Sequence, residues 1–255
     1  MPDLLWPDRT IGVFETILIL EGAPIELDAH LERLRWSVRD LFDAELPAGT
    51  RELLLERAAP VSIGRLRLTV APGPTGALVA DTVIAKVDPL DLFPSWERAI
   101  ALAPFVIPGG LGSHKWADRA GLAMAESSES KGSLPLVVDS GGEVLEASRA
   151  NVFAVEGALL ITPPADGRIL PGVARARAIE AACALGLEVR EEALSVTRLI
   201  DAGAAFLTGS VRGVEPVRSV GDIAFVPPGE AVAAIAAEMR RSWTGGGVAR
   251  SVPAA

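Results

Sequence analysis

The segment Pro108-Gly109-Gly110-Leu111-Gly112 is the sharpest break in the chain. Three glycines and a proline within five residues cannot extend a helix or a strand without cost, so this segment reads as a linker. The pattern before it is strand-rich. Residues 11–20, Ile-Gly-Val-Phe-Glu-Thr-Ile-Leu-Ile-Leu, read as a buried strand. Glu21-Gly22 reads as a turn, and Pro24 to Leu27 as a short return strand. Leu31, Leu34, Val38 and Leu41 recur at helical steps, with Asp28 as the expected N-cap. A second helix is predicted over 48–59, then strands at 64–71, 77–87 and 99–104.

Beyond the linker a helix is predicted over 115–127. Strands follow at 134–138 and 143–145 around Ser140-Gly141-Gly142, then at 151–155 and 158–161 around Glu156-Gly157. Leu170-Pro171-Gly172 opens an alanine-rich helix over 173–185, which is followed by a strand at 189–193. A helical turn over 197–202 and a buried strand at 205–207 come next, then a helix over 229–242 and a frayed tail from 244. Strand runs with segregated helices indicate an α+β fold in two lobes. The expected division is 1–107, a linker at 108–114, and 115–255.

Composition narrows the chemistry. Of the 255 residues 33 are acidic and 24 basic, and a net charge of -9 disfavours general nucleic-acid binding. No apolar run of 18 residues appears, and no basic stretch leads into an apolar one, so neither a membrane span nor a signal peptide is expected. A single cysteine, Cys183, and two histidines, His30 and His114, leave no metal-ligand cluster, and no metal is expected. Tyrosine is absent, and the basic residues are 21 arginines and only three lysines.

Those lysines are Lys86, at the end of a hairpin strand, Lys131, in a polar stretch, and Lys115. The first two read as surface charges. Lys115 follows the glycine-rich linker and opens the predicted helix at the lobe junction, where clefts form. It is either a surface charge or a desolvated amine of lowered pKa that can condense with an aldehyde. Glu146 sits among apolar residues just past a turn. A carboxylate there needs a partner: a salt bridge to Arg149, a strand-end cap, or a protonated pyridine nitrogen. Leu170-Pro-Gly-Val-Ala174 places the free N–H groups of Val173 and Ala174 at a helix N-terminus, which suits an anion or is simply a helix start. Thr208-Gly209-Ser210 adds hydroxyls at a strand end, and His30 and Arg33 share a helix face.

Taken in order, Gly12-Val-Phe-Glu-Thr16, His30-Leu-Glu-Arg-Leu34, Lys115, Glu146-Ala-Ser-Arg-Ala-Asn-Val-Phe153, Leu170-Pro-Gly172 and Thr208-Gly-Ser210 resemble the class IV aminotransferases, the fold-type IV pyridoxal-phosphate enzymes. The resemblance implies a smaller N-terminal α/β lobe and a larger C-terminal pseudo-barrel lobe. It implies that Lys115 carries pyridoxal 5'-phosphate and moves protons, and that Glu146 meets the pyridine nitrogen. Arg33, the amides of Val173 and Ala174, and Ser210 would hold the phosphate. Leu170 would pack on the ring, and Asn151 would belong to the same cofactor-binding set. A homodimer in the cytoplasm is implied as well.

Lys115-Trp-Ala-Asp-Arg119 and the run from Phe206 to Pro216 are similar to aminodeoxychorismate lyase-like members of the family, and the lack of tyrosine disfavours a branched-chain transaminase pocket. The implied reaction releases pyruvate and 4-aminobenzoate, for folate biosynthesis. The alternative is transamination of branched-chain or D-amino acids with a 2-oxo acid acceptor. Arg119 and Arg212 are the expected carboxylate partners of a small anionic substrate, or else surface ion pairs. Two departures stand out. Only eleven residues precede Gly12, so either the edge that members build there is shortened or the start codon is misassigned. Ala174 stands where transaminases often carry threonine, which removes one hydroxyl from the phosphate site.

Overall fold

The computed structural model describes residues 7–128 and 132–245. In the first lobe, β1 (Val13–Leu20) is apolar on both faces and runs through the middle of a four-stranded sheet. Its neighbours are β2 (Ala23–Pro24), which touches only its last two residues, and β3 (Ile63–Pro72), which pairs along its whole length. The hairpin from β3 into β4 (Leu78–Lys86) completes the sheet. Two helices, α1 (Leu27–Phe42) and α2 (Thr50–Ala58), bury Leu31, Leu34, Val38 and Leu54 against Ile17, Leu66 and Leu68. The return strand is shorter than expected, because Glu26 turns left-handed and α1 begins at Leu27. Asp28 therefore lies within the first turn, where its charge suits the helix dipole, and does not cap it.

The second sheet has ten strands. Its first member is β5 (Ile100–Val106), which pairs in parallel with β6 (Ser133–Val138) and β13 (Gly213–Val220). The chain therefore enters the large sheet before it reaches the glycine-rich linker. The linker is packed against the large lobe. Gly109 N donates to Asp139 Oδ1 at 3.0 Å, and Gly110 lies against the Arg168 carbonyl with no room for a side chain.

After α3 (Ala120–Ser128) and β6 come β7 (Glu143–Ala147), β8 (Asn151–Glu156) and β9 (Leu159–Thr162). Next are α4 (Val173–Ala184), β10 (Glu188–Glu191), β11 (Leu194–Ser195), α5 (Val196–Ala202) and β12 (Ala205–Gly209), which leads into β13. β14 (Ile223–Ala224) and α6 (Glu230–Gly245) finish the described chain. The sheet order is β10-β9-β8-β12-β13-β5-β6-β7-β11, with β14 on β13. Phe153 and Phe206 stack at 4.7 Å across β8 and β12, and the alanines of α4 let it lie close over them beside α6. The helix α6 continues through Gly245, beyond the expected end, and residues 246–255 of the expected tail lie outside the described residues, as does Lys131. Among the described residues no helix is long and apolar enough to cross a membrane.

One departure bears directly on the site. The helix expected over 115–127 begins only at Ala120, where Asp118 Oδ1 accepts from Ala120 N at 3.0 Å. Residues 115–117 instead lie along β1, with a bridge from Trp116 to Val13: Phe14 N donates to Lys115 O at 2.8 Å, and Ala117 N to Gly12 O at 2.9 Å. The short β2 leaves this end of β1 without a partner, and the Lys115 segment satisfies those backbone groups.

Candidate active site

Lys115 reaches a cleft between the lobes, of about 890 Å³ counted out to its open mouth. Its Nζ lies 4.9 Å from the centre of the Phe14 ring. Close surroundings disfavour the ammonium, and the Arg33 charge adds to this, so its pKa falls to about 8. This raises the share of neutral amine near neutral pH far above that of an ordinary lysine, which is what a nucleophile or base requires.

Glu146 projects from β7 into the same cleft. Burial pushes its carboxyl up to about 7, against the pull of Lys115 and of the Leu170 amide. Its contacts are long: Leu170 N at 3.3 and 3.4 Å and Asn151 Nδ2 at 3.4 Å. Asn151 Nδ2 also donates to Leu170 O at 3.0 Å, which ties Glu146, Asn151 and Leu170 together. No ion pair joins Glu146 to Arg149 among the described residues. Arg149 instead faces Glu215, at 4.0 Å.

On the opposite wall, α1 carries Arg33. Its Nε and Nη2 donate to Glu15 at 2.8 and 2.6 Å, and its Nη1 donates to the Pro171 carbonyl at 2.9 Å. Glu15 is sealed from solvent, with His30 Nδ1 at 2.7 Å. Burial alone would raise its carboxyl, but the Arg33 and His30 charges and hydrogen bonds outweigh this and hold it at about 2. Arg33 is thereby fixed beside the start of α4. Val173 and Ala174 line the cleft there, and their N–H groups have no acceptor within the helix. A Cβ on Gly172 would overlap Asn151 Oδ1, so any larger residue at this helix start must displace the Asn151 side chain. Thr208 and Ser210 line the same end, and Thr208 Oγ1 is buried without a hydrogen-bond partner.

The structure therefore brings Arg33, Lys115, Glu146, Asn151, Leu170, Val173, Ala174 and Ser210 around one cleft, with Arg119 at its wall. It does not bring Arg212 there. Arg212 is held by Asp91 and Glu215, each at 2.9 Å, outside the cleft lining. Sequence reasoning named Phe14 and Glu15 only within a motif and gave neither a role in the site. The signal for Glu15 was present, since it is the only charge inside an otherwise uncharged run. Arg149 was read only as a partner for Glu146, and Thr208 only as part of a hydroxyl-bearing strand end whose phosphate contact was assigned to Ser210.

A family model described as amino-transferase class IV matches residues 12–220. The chain belongs to the class IV aminotransferases. Among its relatives, the aminodeoxychorismate lyase of Bacillus subtilis (strain 168) is 29% identical over 245 residues, covering 88% of this chain and 83% of the relative. The branched-chain-amino-acid aminotransferase of Escherichia coli (strain K12) is 39% identical over 88 residues, but this spans only 34% of this chain and 28% of the relative. A hypothetical aminotransferase from Mycobacterium tuberculosis, solved in a PLP-bound form, superposes with a TM-score of 0.79 at 23% identity, covering 93% of this chain and 90% of that one. This class IV aminotransferase thus has the two-lobed α+β architecture of the fold-type IV enzymes.

Proposed function

We propose that this class IV enzyme is a pyridoxal-phosphate-dependent 4-amino-4-deoxychorismate lyase, releasing pyruvate and 4-aminobenzoate. The cleft fits the cofactor. A buried amine of lowered pKa, a buried carboxylate without an ion-pair partner among the described residues, and a helix start with free N–H groups beside a threonine hydroxyl that has no partner there either are the three features the group requires. Pyridoxal phosphate supplies an aldehyde that condenses with amines and a ring that accepts the electrons freed when a bond at the amine-bearing carbon breaks.

The residues divide the work around it. Lys115 holds the cofactor, then accepts the proton from carbon 4 of the substrate ring. Glu146 accepts the hydrogen bond of the pyridine N–H. Arg33, the N–H groups of Val173 and Ala174, and the Ser210 hydroxyl bind the phosphate, while Leu170 covers the ring and Asn151 steadies Leu170 and Glu146. Arg119 receives a substrate carboxylate. Its Nη2 donates to Ser148 O at 2.7 Å, which sets the guanidinium at the cleft wall four residues after Lys115. Loss of the carbon 4 proton and departure of the neighbouring enolpyruvate group make the ring aromatic. The departing group takes up a proton to become pyruvate.

The observation that carries the lyase reading over transamination is the pairing of Lys115 with Arg119 in this cleft. The lyase relative's likeness along most of the chain supports it. The reading includes a homodimer, a cytoplasmic location and a role in folate synthesis. The test is to add aminodeoxychorismate to the cofactor-loaded protein without any amino acceptor. Stoichiometric, repeated release of pyruvate is expected. Amino transfer to 2-oxoglutarate from branched-chain or D-amino acids, with no pyruvate from aminodeoxychorismate, would overturn it in favour of the transaminase.

A further inference from the structure

The cleft holds four cationic side chains, Arg33, Lys115, Arg119 and Arg149, and they are not equally committed. Arg33 is bonded bidentately to Glu15, and Lys115 is the amine assigned to the cofactor. Arg149 differs. Its nearest carboxylate, Glu215, is 4.0 Å away and is already taken by Arg212 at 2.9 Å. One carboxylate is thus shared between two guanidinium groups, and Arg149 keeps its directional donors free, with its side chain 47% exposed.

The backbone beneath Arg149 is tight. Ala147 N donates to Ala150 O at 2.8 Å and Ala150 N to Ala147 O at 3.2 Å, so Ser148 and Arg149 form the tip of a closed turn between β7 and β8. The same turn fastens Arg119, which donates to Ser148 O. Ser148 Oγ in turn donates to Glu126 at 2.6 Å, and Glu126 lies 3.6 Å from Arg119. Two guanidinium groups are therefore anchored at one turn, and each has only a distant carboxylate, Glu126 at 3.6 Å from Arg119 and Glu215 at 4.0 Å from Arg149. Burial and the nearby Arg149 charge both work against Arg119 holding its proton, while Glu126 and Glu146 favour it. A ligand carboxylate is the group that relieves this arrangement, since it can accept from a guanidinium fork bidentately.

We propose that Arg149 is a specificity-determining residue of this active site, which takes the second carboxylate of a small dicarboxylic acid substrate while Arg119 takes the first. The inference rests on the cleft being the active site described above, and it assigns the substrate class through a residue distinct from the Arg212 that the sequence suggested. Arg212 serves to hold Glu215.

The test uses the full chain loaded with cofactor, titrated by calorimetry with isophthalate and with benzoate, which share a ring and differ by one carboxylate. The wild-type protein is expected to bind isophthalate about 10- to 100-fold more tightly. In Arg149→Gln this preference should shrink at least about tenfold, with benzoate affinity and the visible cofactor band unchanged, and Arg149→Lys should restore part of it. An Arg149→Gln protein that keeps the wild-type preference, or that weakens both ligands equally, overturns the proposal. The two readings fail separately. No pyruvate from aminodeoxychorismate, with the dicarboxylate preference still dependent on Arg149, overturns only the lyase. Normal pyruvate release and an unchanged KM in Arg149→Gln overturn only the role of Arg149.

Discussion

Two glutamates stand on opposite sides of the cleft, Glu15 sealed behind Arg33 and Glu146 in the lining, and their environments drive them in opposite directions. Glu15, in the small lobe, is held at about 2. Glu146, in the large lobe, is raised to about 7. Both pay for desolvation. Glu15 has a bidentate arginine and a histidine within 2.8 Å, whereas Glu146 has an amide and a side-chain carboxamide beyond 3.2 Å. A completed ion pair makes a scaffold, and an uncompleted one leaves a carboxylate ready for a partner that arrives with the ligand. The small lobe supplies the fixed grip and the large lobe the responsive one.

Removing the amine that both walls face should have the largest effect. Lys115→Ala is expected to lose pyruvate release by about 10³-fold or more and to lose the visible band of the loaded protein, read in one spectrum and one assay. A retained band would sink the assignment of this lysine. Next comes Glu15→Gln, which strands the Arg33 charge. A loss of about 3–5 kcal/mol in unfolding free energy is expected from denaturant titration.

The same contrast predicts opposite pH trends. The folded pKa of Glu15 lies below its ordinary 4.5, so its contribution is complete above that value and is lost as pH falls towards 2. A depression of that size corresponds to roughly 3 kcal/mol, absent from the profile of Glu15→Gln. Glu146 is raised, so without cofactor its burial penalty should grow as pH rises from 4.5 through 7. Glu146→Gln should flatten that limb and leave the fold intact, while lowering kcat by about 10²-fold. A strongly destabilised Glu146→Gln protein would erase the distinction between the walls. The smallest effect is expected from Gly172→Ala, which pushes Asn151 aside at a cost of about 1–3 kcal/mol and weakens cofactor retention.

Much of the fold was legible because its signals are local. The apolar run of β1, the alanine-rich α4 opened by Pro171-Gly172, and the hairpins at Gly141-Gly142 and Glu156-Gly157 each follow from neighbouring residues. The expected helix at Lys115 failed because the unpaired edge of β1, a hundred residues upstream, competes for that backbone. Similarly, β5 was read as part of the first lobe because it precedes the linker, but its partners are β6 and β13, far along the chain.

The sequence by itself determined which groups are available: one lysine in a distinctive place, the ordered motifs around it, and the glycines that let the chain turn. Only the tertiary structure decided which charges are spent and which are free. Arg33 bonds Glu15 and a carbonyl 138 residues away, Arg212 is bound to Asp91 and Glu215, and Arg149 is left facing the cleft. Composition and spacing cannot assign those partners, because electrostatic attraction depends on distance through the fold and on the surrounding medium, and neither is a property of position along the chain.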